Sequence, residues 1–174
     1  MTMRPSLRKF ALTAHVTFSV GWIGGVVAYL TLGVAAVTSQ DVQTMRAAWI
    51  AMELIGWYAI VPLALASLLT GLVMSLGTKW GLFRHYWTLI SFILTVLATV
   101  VLLLHMPDVS LLAAVAQEAE GAKLDELGGD LFHPGLGLVV LLVIQVLNAY
   151  KPRGLTRYGW RKQLERHQSR SPAN

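Results

Sequence analysis

The residues able to do chemistry in this chain are few. They are His15, His85, His105, His133 and one carboxylate, Glu53, that falls inside an apolar stretch. There is no cysteine. That excludes disulfide frameworks, thiolate metal sites and cysteine nucleophiles, so a metal or haem must be held by His, Met, carboxylate or backbone. His15 precedes Trp22 by seven residues, which puts both on one helical face. Gly21, Gly24 and Gly25 flank that face. Glycines admit a second backbone or a flat macrocycle. Two readings follow. Either His15 is an axial haem or metal ligand and the glycines make room, or His15 hydrogen-bonds a neighbouring helix and the glycines serve packing.

His85 lies within Arg84-His85-Tyr86-Trp87. It is either an interfacial ring in an aromatic belt or the partner of His15 on a haem iron, for which neutral imidazole is the usual ligand. His105 and His133 mark the opposite side, near Glu53. Two imidazoles and a carboxylate suit Zn²⁺, Cu²⁺ or Fe²⁺, and two imidazoles alone suit haem. The alternative is a pair of interfacial histidines with Glu53 satisfied between helices. An unpaired carboxylate in an apolar setting is expensive, which draws attention to Glu53. His85 and His105 are 20 residues apart. On a straight helix they differ by about 200° in azimuth and about 30 Å in height, so one groove cannot take both. The spacing predicts one site, or an inner and an outer site in different grooves.

Other features carry less. Met52, Met74 and Met106 are scattered and read as packing residues. Pro62 removes a backbone hydrogen bond and predicts a kink. Thr88, Ser91, Thr95 and Thr99 recur at three-to-four spacing and read as an interhelical stripe. No P-loop, dinucleotide fingerprint or HExxH motif is present.

These residues must be held by four apolar runs, at about 10–37, 47–76, 85–106 and 134–150. Each is close to the roughly 20 residues that cross a bilayer core about 30 Å thick. Of the 174 residues, 55% are hydrophobic and 13% charged, and the mean hydropathy is +0.59. A soluble domain carries about 25% charged residues. The composition excludes an ordinary soluble domain, a disordered chain and a nucleic-acid-binding module. The expected fold is all-α, an integral membrane bundle of four transmembrane helices. The first run is too long for a signal-peptide core and is read as a retained helix.

Charge sets the orientation. Arg4, Arg8, Lys9, Lys79, Arg84 and the cluster from Lys151 to Arg170 put twelve of the fourteen basic residues on one side. Arg46 and Lys123 fall on the other, with most of the acidic residues. The positive-inside rule places both termini in the cytoplasm. Residues 1–150 then form the membrane domain and 151–174 a basic cytoplasmic tail beside anionic lipid. Tyr158 and Trp160 suit an interfacial stretch there. Between the last two spans, Ser110–Gln117 is expected as a short helix lying on the outer membrane surface.

The pattern His15-x6-Trp22-x-Gly24-Gly25, with Gly81-Leu-Phe-Arg-His-Tyr-Trp87 and Leu-Leu-Leu-His105, resembles a group of small four-helix bacterial membrane proteins. These are the DUF2269-like proteins and their CopD-like and HemJ-type relations. The resemblance covers roughly residues 8–150. The HemJ-type relation implies b-type haem near the first-helix His; the CopD-like one implies copper handling. The chain has no evident intramembrane lysine matching the HemJ-type pattern, and no methionine-rich outer segment.

The leading expectation is a haem b protein of the bacterial inner membrane. It would bind the cofactor through His15 and His85, with Trp22, Gly24 and Gly25 beside it, and pass electrons to a quinone or another redox partner. Zn or Cu bound by Glu53, His105 and His133 in a metal-handling accessory is the alternative. A non-catalytic scaffold subunit, alone or as a homo-oligomer, is a third.

Overall fold

The structure, a computed structural model, describes residues 3–77, 81–118 and 131–168, without the side chains of Arg166 and His167. All of its regular elements are helices. They are α1 (Pro5–Thr38), α2 (Val42–Ile55), a π-helical turn (Gly56–Ile60), α3 (Val61–Gly77), α4 (Tyr86–Glu118), α5 (Phe132–Tyr150) and α6 (Arg157–Gln168). α2, the π turn and α3 run on as one span, so four helical rods are long and apolar enough to cross a membrane. Lys79, residues 119–130 and Arg170 lie outside the described residues, and with them Lys123 and most of the acidic outer loop.

The rods form a four-sided bundle. α1 packs on the α2–α3 rod and on α5, and α4 packs on the same two from the opposite corner. Trp49, Met52, Met106 and Val109 are the most deeply buried large side chains. Met52 and Met106 therefore serve packing, as their scatter suggests. Trp22, Val26 and Tyr29 supply the α1 face of this core.

The distortion expected at Pro62 takes a specific form. A helical proline has no N–H, and its ring crowds the carbonyl four residues earlier. The chain widens just before it: the Val61 N–H donates to the Gly56 carbonyl, five residues back. One π turn relieves the crowding and lets the rod continue.

The region after His105 differs from expectation. No separate surface helix forms at Ser110–Gln117. α4 runs unbroken through Pro107 to Glu118. Val109, Ala113 and Ala116 are fully buried at helical spacing. Small residues there let α4 lie against α2. The Arg46 Nε donates to the Ala116 carbonyl at 3.0 Å, and the Trp57 indole donates to Ser110 Oγ at 2.9 Å. These bonds hold the segment in the bundle. At 33 residues α4 is about 50 Å long, well beyond a bilayer core.

The chain ends gather at one end of the bundle. The Met3 N–H donates to the Gly77 carbonyl at 3.1 Å. The Thr156 N–H donates to the Arg84 carbonyl at 3.1 Å, and the Thr156 hydroxyl bonds the Phe83 carbonyl. Thr156 Oγ1 also accepts the Gly159 N–H at 3.1 Å, which caps α6. A Cβ on Gly159 would collide with the Arg84 carbonyl oxygen, so only glycine allows this approach. Within the basic tail, α6 is thus fastened to Phe83 and Arg84 before α4.

Candidate functional site

Among the described residues, cavities open toward each end of the bundle. The larger, about 490 Å³, lies at the end that carries the chain termini, among α1, α3, α4 and α5. Its rim carries Arg8, Lys9 and Lys151. Its interior carries His15, Ser19, Ser67, Thr88, Ser91 and Thr95, with Gln145 and Asn148 from α5. Trp87 and Phe92 add flat aromatic wall.

The local sequence explains how His15 is held. His15 Nδ1 lies 3.1 Å from Thr70 Oγ1 on α3. The Thr70 hydroxyl donates its one hydrogen to the Ala66 carbonyl at 2.6 Å. Toward His15 it can therefore only accept, so Nδ1 carries the ring proton. Nε2 is left as the lone-pair side of the ring, which also meets the Ser67 backbone. A Cβ on Gly71 would meet His15 Cε1 at 3.1 Å, so the ring seats against bare backbone. One turn along, Ser19 Oγ and Ser67 Oγ are bonded at 2.8 Å. Such a bond between membrane helices contributes about 0.6 kcal/mol. His15 thus bonds a neighbouring helix, as one of the two readings of its sequence expects.

On α4 the hydroxyl stripe divides. Thr95 and Thr99 donate back to the Ser91 and Thr95 carbonyls. The Thr88 and Ser91 hydroxyls have no partner among the described residues, although the residues are only 9% and 6% exposed. Both line the cavity. Unsatisfied buried hydroxyls are costly, so their place on a cavity wall suits a polar occupant.

His85 does not line this cavity. It sits before α4, its backbone bridges Leu155, and its ring centroid is 6.4 Å from Trp87. Trp22 is buried on the wall of the other cavity. A Cβ on Gly24 would meet nothing within 4 Å, and one on Gly25 would face Ile60 of the π turn at 3.1 Å. Gly25, like Gly21 against Leu63, therefore serves helix packing.

The second cavity, about 230 Å³, is almost wholly hydrocarbon. Trp22, Tyr29, Ile60 and Leu141 form its inner wall, and His105 and His133 line it as well. Those two imidazoles, from α4 and α5, stack with ring centroids 4.8 Å apart and planes inclined by 28°. Glu53 does not join them: it lines neither cavity, and its carboxylate has no hydrogen bond or ion pair among the described residues. No group of three or more His, Asp or Glu side chains placed to hold a metal occurs among the described residues.

Comparison with protein-family models, curated proteins and solved structures finds no match to this chain. The functional reading therefore stands on the two cavities themselves.

Proposed function

We propose that the protein is a multi-pass protein of the bacterial cytoplasmic membrane, with both termini in the cytoplasm, that binds b-type haem at His15 for electron transfer. The observation that carries this reading is the His15–Thr70 bond. It leaves Nε2, the usual iron-binding nitrogen, as the lone-pair side of the ring. A ligating histidine characteristically donates its other N–H in this way, which fixes the tautomer and orients the ring.

Three further features support it. Gly71 lets the imidazole seat directly against the α3 backbone. The aromatic and aliphatic wall suits a macrocycle. Arg8, Lys9 and Lys151 at the rim suit two propionates. Haem bound there would supply one-electron chemistry, and the protein's part is to seat, orient and shield it. His85 lies off the cavity, so His15 is the one histidine assigned to the iron. Electrons would pass to a membrane-soluble quinone or another redox protein.

The orientation rests on the basic residues at the termini end, together with α6. Tyr158, Trp160 and Leu164 are exposed on a helix rich in Arg and Lys, as in helices that lie at an anionic membrane surface.

A second reading keeps the outer end as a Zn or Cu site, and it has only the adjacent His105 and His133 to rest on, since Glu53 lies apart. Quantifying haem by the pyridine haemochrome assay, and zinc and copper by elemental analysis, separates the two. Near-stoichiometric haem that is lost in His15→Ala supports the first. Stoichiometric metal without haem, lost in His133→Ala, supports the second.

A further inference from the structure

The apolar cavity has features that haem binding at His15 does not use. An apolar void of about 150 Å³ is large enough to take benzene, so one of about 230 Å³ has room for a larger ring. Leu97, Val101 and Leu136 line it, yet are 54%, 52% and 52% exposed on the outside of the bundle. In a bilayer those outer faces meet acyl chains. The access path is therefore lateral, between α4 and α5, and open to lipid-soluble molecules.

The polar groups narrow the class of occupant. A saturated acyl chain has no use for imidazoles. A ring bearing carbonyl oxygens does, because an imidazole N–H can donate to it. His105 and His133 stand together on the cavity wall near the start of α5, where that helix meets the membrane boundary. Aromatic side chains at Trp22 and Tyr29 supply stacking surface. Gly137 also lines the wall, and a Cβ there would meet nothing within 4 Å.

We propose that this cavity binds the head group of a lipid-soluble quinone, with a His105 or His133 N–H donating to a quinone carbonyl. The site stands on its own geometry, whether or not haem occupies the other cavity.

The test uses the full chain in phosphatidylcholine nanodiscs, titrated with decylubiquinone and with menadione. Tryptophan fluorescence reports binding, and Trp22→Phe identifies the reporter. Saturable quenching is expected, much reduced in Trp22→Phe. Gly137→Leu fills the cavity and should weaken binding by about ten-fold or more, the usual scale of overpacking. Gly137→Ala should bind as the wild type does and serves as the folding control. His133→Leu should weaken binding, and Thr156→Ala, remote from both cavities, should leave it unchanged. Non-saturable quenching, alike in wild type and Gly137→Leu, would overturn the proposal. So would equal displacement by added phospholipid, which would assign the cavity to acyl chains.

Discussion

Thr70 accepts a hydrogen bond from His15 Nδ1 at 3.1 Å because its own hydrogen is committed to the Ala66 carbonyl at 2.6 Å. Two residues 55 positions apart in sequence thus favour one tautomer of an intramembrane imidazole, with the proton on Nδ1. A threonine that bonds back to its own helix has no second proton, and that is what makes it an acceptor.

Thr70→Val removes this acceptor and keeps the shape. Haem affinity should fall by about 10–100-fold, the cost usual for losing such a supporting contact. Thr70→Ser keeps the hydroxyl and should retain most of the affinity. Optical titration of the haem-depleted protein with hemin checks both. Equal affinity in Thr70→Val and wild type would show that the bond does not prepare the ligand.

Thr156 and Gly159 should control the tail. Thr156→Ala removes the α6 cap and the hydroxyl bond to the α3–α4 turn, at a cost of about 1 kcal/mol. Gly159→Ala drives a methyl against the Arg84 carbonyl oxygen. Both should loosen α6 without unfolding the bundle. Hydrogen exchange should rise across residues 156–165 and stay unchanged in α1.

Asp41 gives a pH dependence. Its carboxylate caps α2, accepting from the Thr44 hydroxyl at 2.6 Å and from the Thr44 and Gln43 amides. The Thr44 hydroxyl first, then the two amides, hold its pKa below the ordinary value of 3.8. A lowered folded-state pKa contributes stability above the unfolded value and loses it as pH falls through the folded one. Asp41→Ala should therefore lower the melting temperature at pH 7, and the difference from wild type should shrink below about pH 4. A difference that persists undiminished at pH 2 would remove the charge from the account.

Reporter fusions test the orientation. Fusions at the N-terminus and after α6 should both report cytoplasm, and one after Glu118 should report the outside. An external signal from either terminus would reverse the bundle. His15 would then lie in the outer leaflet and the His105–His133 pair in the inner one.

Much of the fold is legible in the sequence, because a bilayer demands long apolar helices and the four runs supply them. The limits lie where packing overrides composition. Ser110–Gln117 is apolar and helix-favouring, which suggests a surface helix. Whether Ala113 and Ala116 face lipid or α2 depends on where α2 runs, which periodicity does not reveal. Pro62 signals a distortion, but only the widened Gly56–Val61 turn gives its form. For the site, His15 stands out as an intramembrane imidazole. Its partner Thr70 does not, since a threonine in an apolar helix looks like any other small polar residue. His15 and Trp22 share a face by spacing, yet the seven-residue step from one to the other spans about 10 Å of helix, enough to put them on different cavities. The unpartnered Thr88 and Ser91 belong to a stripe that spacing reveals, but their division from Thr95 and Thr99 depends on which hydroxyls reach a carbonyl of their own helix.

The most direct test of haem binding at His15 is an absorption spectrum of the detergent-purified protein, oxidised and dithionite-reduced, for wild type and His15→Ala grown with sufficient haem. A Soret band that shifts on reduction in wild type, is absent in His15→Ala and returns when imidazole is added to that variant is the predicted result. A folded wild-type protein without a Soret band, or a His15→Ala spectrum identical to wild type, would contradict it.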